Sequence, residues 1–185
     1  MPSDKERIYV ALYARGGAPK MPELEDKYHW SIIVGPKVET PGSKGTMFHA
    51  MEKIALVDGK AQSSWEFQER TTSMEATRMI LVRIRVGKVA SMERLSSVLR
   101  STKIKATEPG WNCVAWVKEA LEGLKDDGKA LGTSKIDWVS IRDTAMRYVE
   151  QKKSQHRFDG TANSEEFNLS KVATWDCLEG KEVVA

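Results

Sequence analysis

Residues 28–50, "YHWSIIVGPKVETPGSKGTMFHA", decide how the rest of the chain is read. "YHWSIIVG" is aromatic and β-branched, which favours a strand. "PKVETPGSK" carries two prolines and a glycine, so it is a hairpin loop longer than the tight two-residue kind. "GTMFHAMEKIAL" then returns as the partner strand. Upstream, "RIYVALYA" reads as another strand and stops at "RGGAP", where Gly16, Gly17 and Pro19 signal a loop. Downstream, "SSWEFQERTT" and "RMILVRIRVG" complete about five strands. Their links are too short to hold crossover helices, so the sheet is expected to be a largely antiparallel meander.

The pattern changes after residue 90. "SMERLSSVLRS" has Ser91 as a candidate N-cap and sets Met92, Leu95, Val98 and Leu99 along one face. In "NCVAWVKEALEGL", Cys113, Trp116, Val117, Ala120, Leu121 and Leu124 recur at helical spacing, opposite Lys118, Glu119 and Glu122. "KIDWVSIRDTAMRYVEQKK" predicts a third helix with Asp137 at its start and lysines at its end. Strands first and helices after define an α+β class. One core is expected, with 1–153 as the α+β domain, 154–185 as its C-terminal extension, and "VATWDCLEGKEVV" as a short terminal element.

Composition removes several functions. The 29 basic and 26 acidic side chains nearly cancel, so the net charge of +3 gives no reason to expect nucleic acid as a partner. No apolar run approaches the ~20 residues of a membrane span, and the N-terminus lacks a signal-peptide core, so a soluble cytoplasmic protein is expected. Cys113 and Cys177 are too few and too far apart for a disulfide framework, which fits a reducing compartment. Neither has a CxxC partner and the histidines lack a paired spacing, so no metal and no cofactor is expected. Gly16 and Gly17 are not a phosphate loop, because no GK[ST] follows.

Cys113 can be read in two ways. On an apolar helical stripe it is a buried core thiol; at a helix start it faces free N–H groups and the positive dipole end, which favour a thiolate and an oxyanion. Asn112 can cap that helix or face a reacting carbonyl. A nucleophile needs a base, and only three histidines exist. His29 shares a strand face with Ser31 and Ile33, whereas Trp30, Ile32 and Val34 point the other way. The even sum of positions 29 and 49 lets His29 and His49 share that face as cross-strand neighbours. Packing the Cys113 helix there would assemble thiol, base and orienting imidazole. His156 falls in a polar linker and is expected to be solvated.

"YHWSIIVG", "GTMFHA" and "NCVAWV" together resemble the His-Trp, second-His and Asn-Cys signatures of the lecithin retinol acyltransferase-like proteins. That group has a circularly permuted papain-like fold in which the histidine strands precede the cysteine helix. The order also resembles the PPPDE thiol peptidases. The whole chain resembles small fungal proteins that share "YHW", "GPK", "WNC" and "DW" and bring no assigned activity. The resemblance implies Cys113 as nucleophile, His29 as general base and acid, His49 as the group orienting His29, and Asn112 before the cysteine. Val114 and Ala115 depart from the acidic and histidine residues that continue the acyltransferase motif, and the loop from Pro36 to Lys44 is longer.

The implied activity is that of a cysteine-dependent hydrolase or acyltransferase, working through a thioester acyl-enzyme on an ester, thioester or amide of a small-molecule, acyl or peptide substrate. A cyclase or tailoring enzyme on the same fold is an alternative, and a non-catalytic binding or scaffold protein is another. Trp30, Trp111 and Trp116 flank the centre as pocket walls or core anchors, with Trp111 the best pocket candidate. Cys177 is a resolving thiol or a packed residue.

Overall fold

The computed structural model describes residues 4–185. Strands β1 (Arg7–Ala14), β2 (Tyr28–Gly35), β3 (Lys44–Val57), β4 (Lys60–Ser73) and β5 (Ile80–Val89) precede helices α1 (Met92–Ser101) and α2 (Cys113–Asp127). Strand β6 (Leu131–Ser134), helix α3 (Trp138–Ser154) and strands β7 (Ala173–Asp176) and β8 (Lys181–Val184) follow. The α+β class of the sequence holds, with strands before helices over most of the chain.

The sheet is larger than the five strands expected, and it is not a meander. Its order is β4-β3-β2-β1-β5-β7-β8, with β6 also paired to β5. β5 leaves β4 at one edge and returns antiparallel beside β1, because residues 74–79 suffice to cross the end of the sheet. β7 then lies parallel to β5, which makes the sheet mixed. The segment 154–185 contributes both β7 and β8 to this sheet.

The two faces differ in what they bury. Ile8, Val10, Leu12, Trp30, Ile32, Val34, Phe48 and Ala50 form one cluster with Leu95, Leu99, Trp116, Val117, Leu121 and Val149 of the helices. α2 lies on β2 and β3, and α3 on β5 and β1. The opposite face holds a small cluster of Tyr9, Ala11, Ile33, Met47 and Met74. The helices cover the face with more apolar area, because that burial contributes most.

Candidate functional site

β2 and β3 are joined only part of the way. Their ladder pairs Ile32 with Phe48, Ile33 with Met47 and Val34 with Thr46, leaving residues 28–31 of β2 without a ladder partner on β3. His29 and His49 flank this opening. His29 Nε2 lies 2.7 Å from His49 Nδ1, and His49 Nε2 lies 2.8 Å from Gln68 Oε1. The sharing of one face, expected from sequence parity, is what the structure shows.

Gln68 is the residue that the sequence reading missed. The signal was in "VDGK": Asp58 and Gly59 have φ of 49° and 72°, the turn that closes a two-residue hairpin. Counting back from the Val57–Lys60 pair at that turn sets Gln68 directly across from His49. The Gln68 carbonyl oxygen accepts, so His49 Nε2 carries a proton and its Nδ1 a lone pair. His29 Nε2–H then donates to His49, and the lone pair of His29 is left on Nδ1. Among the described residues, Nδ1 of His29 has no hydrogen-bond partner.

Both imidazoles are held neutral. Burial first, then repulsion from His49 were both rings protonated and from the charge of Arg15, push His29 down to about 3. Burial also lowers His49, against the opposing hydrogen bond to Gln68. The two rings line a cleft of about 490 Å3 with Tyr13, Met47, Arg70 and Ile80. Tyr13 stands with its ring centroid 5.8 Å from that of His29 and accepts a hydrogen bond from Ser31 Oγ, so the serine expected to leave space beside His29 is tied to a phenol.

Cys113 opens α2, as the helical spacing required. Asn112 is the N-cap: its Oδ1 accepts from Val114 N at 3.0 Å and Ala115 N at 3.2 Å, while its Nδ2 reaches Met21 Sδ at 3.4 Å. The packing of α2 differs from expectation. It covers the Trp30 face of β2 rather than the histidine face, because Trp30, Phe48 and Ala50 carry the apolar area that α2 needs. The Cys113 thiol is 0% exposed, and burial raises it above its ordinary value. The N–H groups of Trp30, Val114 and Cys113 itself and the charge of Arg15 act the other way. The sulfur therefore meets β2 at Trp30, the residue after His29, and Arg15 bears on both the thiol and the imidazole.

The tryptophans serve the core. Trp30 and Trp116 are 0% exposed and Trp111 is 8% exposed. Trp111 meets Trp65 edge-on at 5.9 Å, and it does not line the histidine cleft, so its expected role as a pocket wall is not what this geometry provides. His156 is exposed, as expected, and pairs with Asp159 at 2.5 Å. Burial and the neighbouring Asp176 push the Cys177 thiol up to about 11. Among the described residues, no group of three or more His, Cys, Asp or Glu could hold a metal ion. No helix among them is long and apolar enough to cross a membrane.

A family model described as "Family of unknown function (DUF6914)" matches residues 5–184. No curated protein and no solved structure matches the chain.

Proposed function

Taking as premise that the chain belongs to the DUF6914 family, we propose that it is a cysteine-dependent acyl-transfer enzyme of permuted papain-like arrangement, with Cys113 as nucleophile and His29 as its base. The observation that supports this reading is the Gln68–His49–His29 hydrogen-bond chain, which leaves a lone pair on His29 Nδ1, while the Cys113 sulfur takes the N–H of the next residue, Trp30. Thiol and imidazole are not hydrogen-bonded to each other in this structure, so the reaction requires them to close. A chain of three polar side chains that fixes one tautomer is the arrangement a general base requires.

The resting pair is neutral: thiol and imidazole, not thiolate and imidazolium. In the reaction, the S–H proton passes to His29 Nδ1 as sulfur attacks the carbonyl carbon of an ester, thioester or amide. The carbonyl oxygen becomes an oxyanion, held by the Cys113 N–H and by Asn112 Nδ2, whose partner among the described residues is the Met21 sulfur. The bond to the leaving group breaks, and the proton on His29 goes to it. Water then gives a proton to His29 and adds to the thioester. Collapse of that adduct releases the acid and returns the proton to sulfur. An amine, alcohol or internal nucleophile in place of water makes the same centre a transferase or a cyclase.

The complete burial of Cys113 favours a second reading, a binding protein with a packed thiol. p-Nitrophenyl acetate separates the two. An enzyme gains one acetyl group that maps to Cys113, faster than in His29→Ala and absent in Cys113→Ser. Acetylation confined to surface lysines, with Cys113 unmodified, overturns the enzyme reading and supports the binder.

A further inference from the structure

A second cavity of about 460 Å3 opens where β1 ends and β2 and β5 begin, under the last turn of α3. Its volume lies in the range of small-molecule sites. Its walls are of two kinds. Leu81, Val149, Phe158, Leu169 and Val172 give it an apolar floor, while Arg15, Lys27, Arg78, Lys153 and Arg157 supply cations. Among the described residues, no aspartate or glutamate lines it.

Only part of this charge is compensated. Lys27 meets Glu150 at 3.1 Å and Arg15 meets Glu52 at 2.9 Å. Among the described residues, Arg78, Lys153 and Arg157 have no carboxylate side chain in ion-pair contact. Arg157 is 8% exposed: its Nη2 donates to the backbone oxygens of Asn168, Lys171 and Ala185, and its Nε is buried with no partner. The nearby Glu182 is taken up by Lys152 and Tyr148. A buried guanidinium with an unpartnered nitrogen is costly, and the cost falls when an anion sits beside it. The concentration of positive charge is local, since the chain as a whole is only +3.

We propose that this cavity binds an organic anion with an apolar body, its carboxylate or phosphate head held by Arg78, Lys153 and Arg157. The cavity shares Ala14, Thr77 and Ile80 with the histidine cleft, so the two adjoin across the end of β1 and β5. The anion is therefore assigned as the non-reacting end of the substrate of the Cys113 centre; this second step rests on the acyl-transfer reading, and the first does not.

Calorimetric titration of the full chain with octanoate, octyl phosphate and 1-octanol tests the site directly. Saturable one-site binding of octanoate or octyl phosphate is expected, at least tenfold weaker in Arg78→Glu/Lys153→Glu, with 1-octanol weaker than the better anion. The tighter of the two anions identifies the head group. Binding should persist in Cys113→Ser, which separates the pocket from the chemistry. Absence of saturable binding by both anions, equal affinity for 1-octanol, or an unchanged affinity in the double variant overturns the site. Arg78 and Lys153 are exposed, so the variant is expected to fold, and an unaltered melting curve confirms it. The substrate assignment has its own readout: the p-nitrophenyl monoester of glutarate should acylate Cys113 faster than p-nitrophenyl acetate, with the preference lost in the double variant. Equal rates with octanoate binding intact would remove that assignment and leave the site.

Discussion

At the scale of single residues, the unprotonated state of His29 has a consequence for acid stability. Its folded value of about 3 lies below the ordinary 6.5, so between those values the unfolded chain binds a proton that the folded chain does not. Stability therefore rises with pH through this window and is lost as pH falls from about 6.5 toward about 3. The depressed His49 adds to the same limb. Urea midpoints should fall between pH 7 and pH 4, and His29→Gln, which cannot take up the proton, should flatten that decline. An identical acid limb in the variant would contradict a buried neutral imidazole. Gln68→Ala tests the tautomer: the Nε2–H of His49 loses its acceptor, so the lone pair of His29 is no longer confined to Nδ1. Acetylation of Cys113 should drop by ~10-fold or more, in keeping with a general-base contribution of 10²–10⁴. Gln68→Glu, which retains the acceptor, should recover much of the rate and shift its pH profile.

At the scale of the elements, the cap made by Asn112 and the role proposed for it can be separated by one substitution. Its carbonyl oxygen caps two N–H groups of α2, and its amide nitrogen, which meets the Met21 sulfur, is the group proposed to hold the oxyanion. Asn112→Ala should cost about 1–2 kcal/mol of stability by loss of the cap. Asn112→Ser keeps an acceptor and should restore most of that stability while acetylation of Cys113 stays slow; recovery of both would reduce Asn112 to a cap. The helix starts were legible because capping is local: Ser91, Asn112 and Asp137 each accept from the first turn of the helix they precede. The first five strands were legible for a similar reason, since β-branched and aromatic runs between Gly and Pro breaks carry their own signal, whereas the four-residue β6, β7 and β8 are too short to carry one. The face that α2 would choose was not. His29 and Trp30 alternate on one strand, and only the summed apolar area of Trp30, Ile32, Phe48 and Ala50 against that of Ile33 and Met47 decides which side a helix covers.

At the scale of the whole molecule, the topology exceeds what short links convey. A six-residue link can join neighbouring strands or cross the end of a sheet, and nothing local in "MEATRM" says that β5 returns beside β1. The parallel β7 is set by contacts far apart in the chain: Arg85 meets Asp176 at 2.8 Å and Arg83 donates to Thr174 at 2.9 Å. The hairpin of β7 and β8 is then clamped to α3. Tyr148 donates to Glu182 at 2.5 Å, and Lys152, whose side chain is only 2% exposed, pairs with the same carboxylate. Removal of one partner from a buried pair leaves an uncompensated charge, at a cost of about 3–5 kcal/mol. Glu182 is 30% exposed, so its removal belongs at the lower end of that range. Glu182→Ala should therefore lower stability by about 3 kcal/mol in urea unfolding. The cost comes from the stranded ammonium rather than from lost attraction, so adding Lys152→Met, which packs beside Tyr148 and Phe167, should recover most of it. A Glu182→Ala change below about 0.5 kcal/mol, in the range of ordinary surface substitutions, would mean that the C-terminal hairpin is held to the sheet by β5 alone.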